Sequence, residues 1–152
     1  MTGAGGLVSL AILPMKILVG VDGSPREPKV LDAALELAKN RGGTIHLARA
    51  MMVPVSIPTA VWTLQGEDFS QFLVEHGQKE IALTAERIPE AQRGKLITRV
   101  GQPADVLVSL AEELDVDVVV IGSHGYGGID RLLGTTAAKV VNRSPCSVYV
   151  VR

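Results

Sequence analysis

Aromatic residues are scarce in this chain: two Phe, two Tyr and one Trp make up 3% of 152 residues. Single-stranded nucleic acid is held largely by bases stacked on aromatic faces, so that class of partner finds few platforms. An excess of charge is missing too. Lys and Arg number 15 against 16 Asp and Glu, a net charge of −1, and no basic run is present to neutralise a polyanion. The single cysteine, Cys146, excludes an intrachain disulfide and, with no secretory signal evident, favours a reducing cytoplasmic location. Three scattered histidines, His46, His76 and His124, without a cysteine cluster make no metal-ligand constellation. The apolar start, Gly6 to Pro14, falls short of the roughly 20 residues that cross a bilayer. It also has no Lys or Arg ahead of it and no clear small-residue cleavage site. Residues 1–14 therefore read as a loose leader and 15–152 as one domain, with no membrane partner expected.

What is present is a chain 47% hydrophobic and 20% charged, long enough for one substantial core. KILVGVD (Lys16 to Asp22), TIHLARAMM, KLITRV, DVVVIG and SVYVVR read as strands, apolar and rich in β-branched residues. Between them lie segments of helical spacing: Pro28 to Asn40, Gln71 to Arg87, Pro103 through Leu114, and a last helix opening TTAAKVV, with Thr135 as its expected N-cap. Val53 to Asp68, with Pro54, Pro58 and the one Trp, reads as a functional loop or lid. Strands alternating with helices predict an open α/β domain, a doubly wound five-stranded parallel sheet. Ligands of such sheets lie beyond the carboxyl ends of the strands, where the strand order reverses. Asp22, Ala50 and Gly122 each fall at or near such an end.

Five glycines, at 122, 125, 127, 128 and 134, follow the fourth strand. A plain turn needs one or two. Backbone amides at a helix start, with the helix dipole, favour an anion by roughly 0.3–1 kcal/mol in exposed settings. Glycines allow a phosphate to approach such donors, and Ser123, Thr135 and Thr136 add hydroxyls. His124 is a further candidate donor in the same segment. The bland alternative is a flexible loop whose glycines only turn the chain. The Walker pattern is absent, since Gly128 stands where its lysine would be, and the first βα turn, GVDGSP, is not GxGxxG. Without a lysine for a transferring phosphate, an enzyme transferring adenylyl or phosphoryl groups is a trailing reading, and without a nucleophile elbow hydrolase chemistry has no support. A response-regulator reading fails because the third strand ends in Arg99, Val100 and Gly101, not in an acceptor Asp. Asp22 keeps two readings: acceptor for ribose hydroxyls, or cap of the next turn. Cys146 is expected to pack in the core.

KILVGVDGSP, VGQPADVLVSLAEE and VVVIGSHGYGGIDRLLGTTAAKVVNRSPCSVYVVR, in that order, resemble the universal stress protein family over about Met15 to Arg152. The resemblance implies strand order 3-2-1-4-5, a cytoplasmic homodimer and, in the ATP-binding branch, the pattern G-x2-G-x9-G-[ST]. Gly122, Gly125, Gly134 and Thr135 match it except that eight residues, not nine, separate Gly125 from Gly134; Gly127 and Gly128 can absorb the difference. By that analogy the glycine segment, with Ser123, His124, Thr136 and Ala137, holds phosphates. Gly20 and Val21 line an adenine slot, Asp22 meets the ribose or base edge, and Ala50 offers backbone to adenine. The expected ligand is ATP or AMP. A Mg²⁺ carried on the phosphates, with Asp22 or Asp130 as outer ligands, is compatible with that set. The last strand, 147–151, ends the chain at a sheet edge and is the expected dimer seam. The function expected is a nucleotide-dependent switch in stress or energy-state response, not an enzyme beyond slow ATP hydrolysis. The alternative is a dimeric interaction module that binds no nucleotide.

Overall fold

Unbroken burial along the central strands organises the molecule. In the computed structural model, which describes residues 13–53, 59–123 and 133–152 (backbone alone over 59–68), five strands form: β1 (Lys16–Gly20), β2 (Thr44–Met51), β3 (Arg93–Val100), β4 (Val118–Gly122) and β5 (Ser147–Val151). They make one parallel sheet in the order β3-β2-β1-β4-β5. In β1, Ile17, Leu18 and Val19 are fully buried in succession, as a strand covered on both faces requires. Ile17, Val19 and Val21 join Ile45 and Leu47 on one face, beneath α1 (Glu27–Arg41) and α2 (Thr59–Ala85). Leu18, Ala48, Val119 and Ile121 face the other way, against α3 (Pro103–Glu113) and α4 (Thr135–Arg143). Each large apolar side chain so buried contributes about 1.5–3 kcal/mol, and β1 supplies such side chains to both cores.

The helices start and stop where local chemistry allows. Pro28 and Pro103 occupy the first turns of α1 and α3, where a missing N–H costs nothing. Gly42 closes α1 at φ +62°, its amide donating back to the Ala38 carbonyl. A single 3-10 turn, Glu90–Gln92, leads into β3.

One expectation is corrected. Val53 to Asp68 was expected to form a loop or lid, yet α2 begins at Thr59 and takes up the second half of it. Both prolines that suggested a loop precede Thr59, so neither interrupts the helix. From Ala60 to Glu67 the run holds Leu64, Gln65 and Glu67, good helix formers, with Gly66 as the one poor member. Residues 54–58 lie outside those described, as do 1–12 of the expected leader. Among the described residues no helix is long and apolar enough to cross a membrane.

The chain order runs outward from β1 to β2 and β3, then returns to place β4 and β5 on the other side of β1. The reversal between β1 and β4 opens a crevice at their carboxyl ends.

Candidate functional site

A hollow of about 550 Å³ occupies that crevice. Its apolar part comes from the strands and α3: Gly20, Ala48, Ala50 and Ile121, with Leu107 and Pro103. Gly20 matters sterically here. A Cβ at this position would lie 3.0 Å from Leu107 Cδ1 and 3.1 Å from Ile121 Cγ2, so any side chain would crowd the lining. Met52, half exposed, adds a flexible apolar wall.

The polar part is Asp22, Ser123 and the opening of α4 with Thr135 and Thr136. Its frame is set by backbone bonds. The Ser123 amide donates to the Val151 carbonyl at 2.8 Å, and the Ser123 carbonyl accepts the Gly134 amide at 2.8 Å. The two ends of the glycine-rich segment are thereby joined, which brings Gly122 and the α4 terminus to one wall. The first bond within α4 runs from the Ala138 amide to the Gly134 carbonyl. The amides of Thr135, Thr136 and Ala137 precede it and have no intrahelical acceptor, so this end of the hollow carries the positive end of a helix dipole.

Thr135 requires a correction. It was expected as the N-cap, but Gly134 holds that position with extended backbone (ψ 161°), and no side chain caps the helix. The bond from the Gly134 amide to Ser123 fixes the turn one residue earlier, leaving both threonine hydroxyls exposed on the first helical turn.

Asp22 does cap its turn: Oδ1 accepts the Ser24 amide at 2.9 Å. A carboxylate has two oxygens with about four acceptor sites. Oδ2 has no protein donor among the described residues, and the side chain is exposed at the lining. Capping therefore leaves room for a ligand hydroxyl. Val21 points its side chain into the core beneath α1, and its amide donates to the Ala48 carbonyl at 2.9 Å; only its backbone serves the hollow.

Gly20, Val21, Asp22, Ala50, Gly122, Ser123, Gly134, Thr135, Thr136 and Ala137, named separately from the sequence, thus line one hollow. His124, Gly125, Gly127, Gly128 and Asp130 lie outside the described residues. Sequence reasoning missed Ala48, Met52, Pro103, Leu107 and Ile121. Ala48 stands two residues before Ala50, on the same strand face, and Leu107 stands one turn after Pro103; those spacings were the available signal. Among the described residues no three His, Cys, Asp or Glu side chains group as metal ligands. Cys146, expected in the core, is half buried, its Sγ 3.5 Å from Ser144 Oγ.

The described lining holds apolar walls, one carboxylate, and a helix terminus with hydroxyls. Such a set can take a ligand with a flat apolar part, a sugar and an anionic tail. Known proteins are similar to the chain over most of its length. The family model for the universal stress protein family matches residues 15–152. Universal stress protein YxiE of Bacillus subtilis is 33% identical over 146 residues, covering 90% of this chain and 98% of that protein. The universal stress protein UspA from Lactobacillus plantarum superposes with a TM-score of 0.74 at 21% identity, over 91% of this chain and 97% of that one. A universal stress protein in complex with cAMP superposes with a TM-score of 0.56 at 26% identity, over 91% and 97% of the two chains. This chain belongs to the universal stress protein family.

Proposed function

We propose that the hollow between β1 and β4 binds an adenine nucleotide, ATP or AMP, and that the chain works as a nucleotide-dependent switch in stress or energy-state response. The observation that carries this reading is the pairing, in one crevice, of Asp22 with the amide-bearing start of α4. Phosphates would lie against Gly122, Ser123 and the first turn of α4, where amides and dipole favour negative charge. The Asp22 carboxylate would accept from the ribose. Gly20, Ala48, Ala50 and Leu107 would take the adenine ring. The relative in complex with cAMP supports this choice of ligand class.

The described part of the hollow offers no lysine or histidine to activate water or neutralise a leaving phosphate. On this reading hydrolysis is slow and incidental, and the bound state itself is the output. We place the protein in the cytoplasm as a homodimer paired through β5, whose outer edge meets no strand among the described residues and whose Tyr149 is 48% exposed.

The test is calorimetric titration of ATP and AMP into the wild-type chain and into the Gly122→Val, Gly125→Val double variant. Saturable binding near one nucleotide per chain, lost in a variant of unchanged circular dichroism, is expected. A wild-type chain that takes up neither nucleotide but self-associates would favour the interaction module instead.

A further inference from the structure

On the sheet face beneath α2, two polar links converge on the turn that carries Asp22. The first starts at Glu80 of α2. Its Oε2 lies 2.8 Å from Nη2 of Arg49, a β2 side chain only 14% exposed, while Oε1 lies 3.7 Å from His76 Nε2. Oε2 is buried without a well-aligned hydrogen bond among the described residues, so the guanidinium charge is its close compensation. The Arg49 group then abuts Gly23: a Cβ there would meet both terminal nitrogens at 3.0 Å. The second link starts one helical turn on. Thr84 Oγ1 donates to Glu27 Oε1 at 2.7 Å, and Glu27 Oε2 accepts the Gly23 amide at 2.6 Å.

Both links end on Gly23, the neighbour of Asp22, and Gly23 sits at φ +71°, where only glycine is comfortable. Inside the turn, Asp22 Oδ1 accepts the Ser24 amide and Ser24 Oγ the Arg26 amide; the two links add a hold from outside it, at Gly23. Resting on the nucleotide reading above, we propose that α2 clamps the Asp22–Gly23 turn through Arg49 and Glu27, so that Arg49, Glu27 and Thr84 are positioning residues for the ribose contact. None of the three lines the hollow. They act by fixing where the Asp22 carboxylate stands.

The test uses the full chain and the Thr84→Val variant, which removes the hydroxyl at nearly constant shape, with Thr84→Ser as the conservative rescue. Amide exchange of Gly23 by NMR is read without nucleotide, and affinities for ATP and 2′-deoxy-ATP are read with it. Loss of one link is expected to speed Gly23 exchange and shrink the ATP preference, each on the order of fivefold. Thr84→Ser should restore both. An unchanged exchange rate and an unchanged ATP to deoxy-ATP ratio in Thr84→Val would overturn the clamp. Faster Gly23 exchange in a chain that binds no nucleotide at all would keep the clamp and overturn the nucleotide reading instead.

Discussion

His46 Nδ1 accepts the backbone amide of Lys95 at 2.9 Å, across the point where the β2–β3 register shifts. Ile45 pairs with Arg93 but Leu47 with Leu96, so β3 carries one extra residue opposite His46. The imidazole plugs the resulting bulge. Gly94 is required there, since a Cβ would lie 2.5 Å from His46 Nδ1 and 2.9 Å from the Ile45 carbonyl oxygen.

This geometry makes stability depend on pH. Burial, then the nearby Lys95 and Lys16 charges, push the His46 pKa below its ordinary 6.5. A protonated Nδ1 would also present a hydrogen where it must accept one. The unfolded chain therefore binds the proton more readily than the folded one. The His46 contribution is complete above pH 6.5 and is lost as pH falls through the folded-state pKa. Urea unfolding midpoints should drop between pH 7.5 and 5.5. His46→Asn, whose Oδ1 can still accept the Lys95 amide but does not titrate, should flatten that drop; an equally steep drop would assign it elsewhere.

Gly77, buried within α2, sets a propensity against a contact. Ala in place of Gly in a helix interior gains about 1 kcal/mol. Here the new methyl would meet Thr98 Cγ2 at 2.5 Å and Met51 Sδ at 2.9 Å, forcing α2 off β3. Overpacking of this kind costs typically 1–3 kcal/mol. Gly77→Ala is therefore expected to lower stability by about 1 kcal/mol net, read from thermal or urea unfolding. A stabilised variant would mean the helix yields at no cost.

Much of this architecture is legible in the sequence because it rests on local patterns. Ile17, Leu18 and Val19 announce a doubly covered strand, and Pro28, Gly42 and Pro103 punctuate the helices. Asp22 and Gly122 fall at strand ends, so the reversal of strand order alone brings them to one crevice. The misses have other causes. Pro54 and Pro58 hid the helical run that follows them, and the turn at Thr135 is set by a bond from Gly134 to Ser123 that no local pattern shows. The links from Glu80 to Arg49 and from Thr84 to Glu27 join residues far apart in the chain. Charged and hydroxyl side chains of that kind read as ordinary surface until the fold pairs them.

Gly23→Ala should be costly for two reasons. A non-glycine residue at φ +71° is strained by about 1–2 kcal/mol, and its methyl would press on the Arg49 guanidinium. The expected result is a lower unfolding midpoint together with weaker ATP binding. Substitution without effect on either would show that the turn is free to rearrange.

The β5 edge gives a prediction about assembly. Sedimentation equilibrium should find the wild-type chain as a dimer, and Tyr149→Glu should give monomers, because two like charges would meet across a symmetric seam. A dimer indifferent to this change would place the seam elsewhere.

The central claim is that adenine nucleotide occupies the crevice between Asp22 and the start of α4. It is tested most directly by following backbone amide resonances while ATP is added to the isotopically labelled protein. Shifts at Val21, Asp22, Gly122, Ser123, Thr135 and Thr136 should saturate together near one ATP per chain. Resonances at these six positions that stay still at saturating ATP, or that move less than those of the β5 edge, would contradict the account.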